Sequence, residues 1–358
     1  MQVEDITAIQ SHYEKIMRLV CAYEPPSPDF DPMSATNDQL EAYHLPVRPD
    51  AQEEPDLFRF WELMLGEETQ FIKPQFPRGE DPRLWPFALH RHGPGPQREA
   101  DAPAVRGFDH RESSRNWSGP YITPLRPHRF VQIVGGWTVP APAVPAVLPS
   151  GCDRDNEEYR SSTWIGMDGK RPYPNASLPQ IGTNQHVEVV DGRKTEKWGA
   201  WWQWWVKGRP EHHVPIPIVN FPVVVRDEIL ASLTLQPRGD VLFHLKNQQS
   251  KRFVTFKVTA PNDIVPLGST AEWIHERPTE LNSTRMYPLP RCTDVNFRFC
   301  LARSALALDA PKTTQQLGNA RLIRMLDVFD NPRRTALLSH PVKTGKTTAR
   351  IFYREAGA

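Results

Sequence analysis

Apolar positions along this chain follow two different periods, and the change falls near residue 115. From Ile6 to about Tyr23 they stand at helical spacing (Ile9, Tyr13, Ile16, Met17, Val20), which predicts one amphipathic helix stopped by Pro25-Pro26. Asp56 to Leu65 predicts a second helix, and Asn37 to Tyr43 a short helical turn between the two. From Pro74 to Arg115 the periodicity fades into Pro, Gly, Arg and His, as expected of a linker or of an extended segment lying over another surface.

After Asn116 short alternating or continuous apolar runs take over, rich in β-branched and aromatic residues. Phe130 to Val134, Ser162 to Met167, Gln185 to Val190, Lys197 to Val206, Val241 to Leu245 and Arg252 to Val258 are the clearest. Asp191-Gly192 and Arg238-Gly239-Asp240 read as turns between them, and Leu322 to Val328 with Thr348 to Tyr353 as closing strands. Many short strands at this spacing argue for an all-β sandwich or barrel and against βαβ units. The organisation expected is therefore an N-terminal, partly helical and Pro-rich extension over 1–110, followed by a β domain over 111–358.

Composition sharpens that picture. The 37 prolines and 11 tryptophans suit a loop-rich β protein whose indoles line a core or a groove. A formal net charge of +1 gives no global field for nucleic acid or an anionic membrane, so neither partner is expected. A monomer is the separate expectation for the chain's own assembly. Cys21, Cys152, Cys292 and Cys300 lack CxxC spacing, which speaks against zinc and for free thiols. The start has neither a basic nor an apolar leader region, so the expectation is a cytoplasmic protein.

Candidate chemistry centres on Ser269 to Glu276. As a strand it sends Glu272, Ile274 and Glu276 to one face and Ala271, Trp273 and His275 to the other. A glycosidase pair is excluded by spacing, since four residues of strand span roughly 13 Å, beyond the roughly 5–9.5 Å that such chemistry needs. In Trp201-Trp-Gln-Trp-Trp205, Trp202 and Trp204 share a face that suits the core, while Gln203 shares the other with two indoles, a surface suited to an extended peptide or a sugar. Lys343-Thr-Gly-Lys-Thr-Thr lacks the first glycine of a phosphate loop and reads as a turn. His212-His213 and His90-Arg-His92 have no ligand partners at metal spacing and read as surface histidines.

Six blocks in order carry a family resemblance: Asn116-Trp-Ser-Gly119, Gly136-Trp-Thr-Val-Pro140, Ser162-Thr-Trp-Ile-Gly-Met-Asp-Gly169, Leu178-Pro-Gln-Ile-Gly182, Ala200 to Trp205 and Ala271-Glu-Trp-Ile-His-Glu276. Together they resemble the glutamic peptidases, or eqolisins. The resemblance implies a two-sheet antiparallel β-sandwich of curved, lectin-like sheets that cleaves polypeptides in acid with a Glu and Gln dyad, without metal or cofactor. It implies Gln180 and Glu276 as that dyad, and Trp117, Trp164 and Asp168 at or near the substrate cleft, with Gln203 lining it. Where members usually carry a glutamate in the Trp-rich strand this chain has Gln203, which implies a less acidic optimum. Members are secreted, the alternative to a cytoplasmic location, and a basic prosegment occupies the place of residues 1–110. Here the basic stretch follows Pro82, and it is expected to cover the cleft as an inhibitory or chaperoning segment. The competing expectation is a non-catalytic sandwich whose tryptophans grip a polysaccharide or peptide.

Overall fold

A computed structural model describes residues 3–66, 68–77, 90–91, 111–148, 152–170, 177–261, 264–280, 283, 285–328 and 335–354. Among the described residues most strands form one hydrogen-bonded ladder that doubles back on itself as a two-leaf, mainly antiparallel sandwich, and two short strand pairs stand apart from it. One leaf runs from Arg193–Val206 through Ser177–Val190, Glu157–Met167, Ala271–Glu276 and Trp117–Ile122 to Arg321–Val328. The other runs from Val295–Ala305 through Arg129–Thr138, Glu228–Leu235 and Val241–Asn247 to Arg252–Val258. The hairpin of Thr335–Lys343 and Ala349–Tyr353 joins the leaves, and the Lys343 to Thr348 stretch is its turn.

Alternation decides what lies between the leaves. Ile165, Ile181, Trp202, Trp204 and Trp273 meet Phe130, Ile133, Trp137, Phe243 and Phe256 in one buried core. Two indoles also tie the leaves by polar contacts: Trp273 Nε1 donates to the Val134 carbonyl at 2.9 Å, and Trp137 Nε1 to Thr183 Oγ1 at 3.0 Å. A buried N–H left without an acceptor costs a few kcal/mol, so these bonds fix where each indole can sit. Asp191 and Gly192, at φ 49° and 73°, make the tight turn between the two longest strands.

The N-terminal residues are built onto the outside of the second leaf. Helices Asn37–Ala42 and Pro55–Leu65 bury Leu40, Leu57, Phe60, Trp61, Met64 and Leu65 against Val134, Leu230, Phe253 and Leu301. A capping box at Thr36 and Gln39 starts the first of them. Lys246 Nζ, itself buried, reaches Leu63 O at 3.0 Å and Thr69 Oγ1 at 2.7 Å at the end of the second, where a helix C-terminus favours a cation. The first helix spans Val3–Met17 and not Ile6 to Tyr23: Val20–Ala22 leaves it to pair with Phe256–Val258, because the edge of the sheet offers that backbone a ladder. All four cysteines are free thiols.

Candidate functional site

The outer face of the first leaf carries the candidate site. Cross-strand partners share a face, so the register sets out three parallel rows there. Glu272, Gly166, Gln180 and Gln203 form one row, Ile274, Trp164, Gly182 and Trp201 the next, and Glu276, Ser162, Asn184 and Gly199 the third. Gln180 and Glu276 therefore lie on one face, diagonal to each other across the row that holds Trp164. Both are buried. Gly182 separates two indoles in the middle row, and a Cβ there would sit 2.5 Å from Trp164 Cβ, so that position accepts no side chain.

Around Glu276 two donors converge. Trp164 Nε1 donates to Oε2 at 2.7 Å and Asn116 Nδ2 to Oε1 at 3.2 Å. Trp117, opposite Glu276 in register, packs its ring edge-on to Trp164 with centroids 5.1 Å apart. A carboxylate so held points its lone pairs in fixed directions, which a group that moves a proton requires.

Around Gln180 the partners are amides. Its Nε2 donates to Gln203 Oε1 at 2.9 Å, and Gln203 Nε2 in turn donates to the His212 carbonyl at 2.9 Å. Gln180 Oε1 is buried with no hydrogen-bond partner among the described residues. Trp201, beside them, donates from Nε1 to Ser162 Oγ at 3.0 Å and so spans the sheet over Gly182. Trp202 and Trp204 lie in the core, as the alternation predicts.

The structure assigns Asp168 a different kind of contact from that of a residue lining a cleft. Its carboxylate accepts from the backbone N–H groups of Leu267, Gly268 and Ser269 at 2.7, 3.1 and 2.6 Å and from Ser269 Oγ at 2.8 Å. It thus fastens the loop that leads into the Glu276 strand. Glu272, at the other end of that strand, is wholly buried, neither carboxyl oxygen has a hydrogen-bond partner among the described residues, and burial with the nearby Asp168 carboxylate pushes its carboxyl up to about 8. On the core side of the same strand, burial pushes His275 down to about 4, with Nδ1 3.2 Å from Thr163 Oγ1.

His212 and His213 are not surface histidines. His212 is buried and held below its ordinary value by desolvation, and His213 stacks on Trp205 at 5.5 Å between centroids. Trp205 and Pro210, which flank this turn, were the signal available in the sequence. Asn116 is a second contributor, and its place at the head of the Asn116 to Gly119 block is the signal the sequence holds for it. The side chains of His90 and His92 lie outside the described residues.

Comparison with known proteins follows the same stretch of chain. Residues 115–324 match the family model described as the Peptidase A4 family. Scytalido-glutamic peptidase, solved with a peptide-based transition state analog, is 18% identical with a TM-score of 0.49 over 67% of this chain and 98% of its own. SCP-B, a member of the eqolisin family of peptidases solved with the tripeptide Ala-Ile-His, is 17% identical at 0.47 over 67% and 98%. Aspergilloglutamic peptidase from Aspergillus niger is 17% identical at 0.42 over 55% and 99%. No curated protein matches the chain.

Proposed function

Because the chain belongs to the Peptidase A4 family and is a glutamic-type endopeptidase, we propose that Glu276 and Gln180 are its catalytic dyad and that it hydrolyses polypeptides at acidic to mildly acidic pH. The observation that supports this most is the pair of end groups on one face: a carboxylate gripped by Trp164 and Asn116, and an amide whose Nε2 carries a second N–H beyond the one given to Gln203. Glu276 takes a proton from the attacking water as its oxygen bonds to the scissile carbonyl carbon. The second N–H of Gln180 Nε2 donates to the developing oxyanion, a contribution worth roughly 3–4 kcal/mol for one such donor elsewhere. Glu276 then returns the proton to the leaving amine as the C–N bond breaks.

Trp117, Trp164 and Gln203 surround this pair, and Asp168 acts on it through the 267–269 loop. Gln203 stands where members of the family usually carry a carboxylate, an exchange we read as favouring work at mildly acidic pH. Residues 1–110 we read as an extension that bears on the site, most of its Arg- and His-rich stretch lying outside the described residues. His90–Arg91 pairs with Thr279–Glu280, three residues past Glu276, in support of that reading. Rates of peptide-bond cleavage for Glu276→Gln and Gln180→Ala test the dyad, and both should fall by two orders of magnitude or more (about 100-fold for a lost donor).

A further inference from the structure

An amide side chain has two ends of nearly equal shape, and only its partners decide which way it points. For Gln180 that decision is made two residues away from the chemistry. A backbone carbonyl accepts and never donates, so the His212 carbonyl obliges Gln203 to present its nitrogen, at 2.9 Å. Gln203 Oε1 is then turned to Gln180 and can only accept, which obliges Gln180 to present Nε2, also at 2.9 Å. The carbonyl that starts this sequence is fixed in its own right. Pro210–His212 is a 3-10 turn closed by His212 N to Arg209 O at 2.9 Å, and the next ring, His213, stacks on Trp205 and lies 3.0 Å from the Val206 carbonyl through Nε2. The N-terminal helix Val3–Met17 packs against the same turn.

We propose that Gln203 is a positioning residue that, anchored on the His212 carbonyl, sets the orientation of the Gln180 amide for catalysis. The proposal rests on the dyad reading of Glu276 and Gln180. An ionised carboxylate at position 203 would keep the acceptor toward Gln180 but would face the His212 carbonyl with a second acceptor, so it would hold this geometry only while protonated. An amide holds it at every pH.

The test is kcat and KM for peptide cleavage by the full chain from about pH 3 to pH 7, across the range where carboxyl groups titrate, with Gln203→Leu, Gln203→Glu and Gln180→Ala beside wild type. Gln203→Leu is expected to lower kcat about 100-fold at all pH, the cost of a misplaced catalytic group, with KM within about twofold. Gln203→Glu should recover activity relative to Gln203→Leu in acid and lose it as its carboxyl ionises, so that its alkaline limb lies at lower pH than that of wild type. Profiles of Gln203→Glu and wild type that superpose, or a Gln203→Leu enzyme with unchanged kcat, would overturn the positioning role. If Gln180→Ala is itself fully active, the dyad reading has failed and this one with it. An inactive Gln180→Ala beside unaffected Gln203 variants refutes the positioning role alone.

Discussion

Trp164 Nε1 stands 2.7 Å from Glu276 Oε2, and strand register puts it there: Trp164 pairs with Ile274, one step along the same face from Glu276. A hydrogen bond to a charged acceptor is worth roughly 1.5–3 kcal/mol. Trp164→Phe keeps the ring and removes the donor. It is therefore expected to lower kcat/KM between about tenfold and a hundredfold, with the fold retained by circular dichroism. Unchanged kcat/KM would show that Glu276 is oriented by other groups.

Buried titratable groups define a pH window for stability. Glu272 is pushed up to about 8 by burial, so the stability it contributes is complete below its ordinary value near 4.5 and is lost as pH rises toward 8. Its size is on the order of 5 kcal/mol across that span. His244 and His275 are pushed down to about 4 by burial, so their contribution is complete above 6.5 and is lost as pH falls toward 4. Two histidines gain against one glutamate until the unfolded histidines lose their protons, so thermal melts taken from about pH 3 to pH 9 should give the highest Tm near about pH 6.5. Glu272→Gln should remove most of the decline on the alkaline side. A Tm that climbs steadily to pH 9 in wild type would contradict this assignment.

The N-terminal residues should stay attached even when the chain is cut. Trp61, Phe60 and Met64 are buried against the second leaf, Glu54 pairs with Arg303 at 2.9 Å, and Val20–Ala22 completes a sheet edge. If acid incubation cleaves near Arg106 to Arg115, denaturing mass spectrometry should show two fragments while gel filtration shows one particle. A freely eluting N-terminal fragment beside an active body would contradict it. In the intact chain Trp61→Ala should cost about 3–5 kcal/mol, read from denaturant unfolding.

Alternation in the sequence was enough to sort residues by face. It assigned Trp202 and Trp204 to the core and Gln203 to the opposite side, and it separated Glu276 from Trp273, because a pleated strand leaves only two choices. Which rows meet was not legible, since register depends on partners far away in the chain. The diagonal between Gln180 and Glu276 and the Trp164 bond both come from pairing register. The resemblance supplied the family and the residue types. It did not show that Asp168 spends all its acceptor capacity on the 267–269 loop, or that His212 is buried with its carbonyl holding Gln203. Helix ends were equally hidden: Val20–Ala22 continues the helical spacing, yet the open sheet edge takes it as a strand.

Whether Glu276 and Gln180 act together is decided by the rate at which wild type, Glu276→Gln and Gln180→Ala cleave an unfolded protein across about pH 2 to pH 7. Wild type is expected to cleave in the acidic part of that range and each variant to lose about 100-fold or more, with all three equally folded. Equal rates for all three would contradict that joint action.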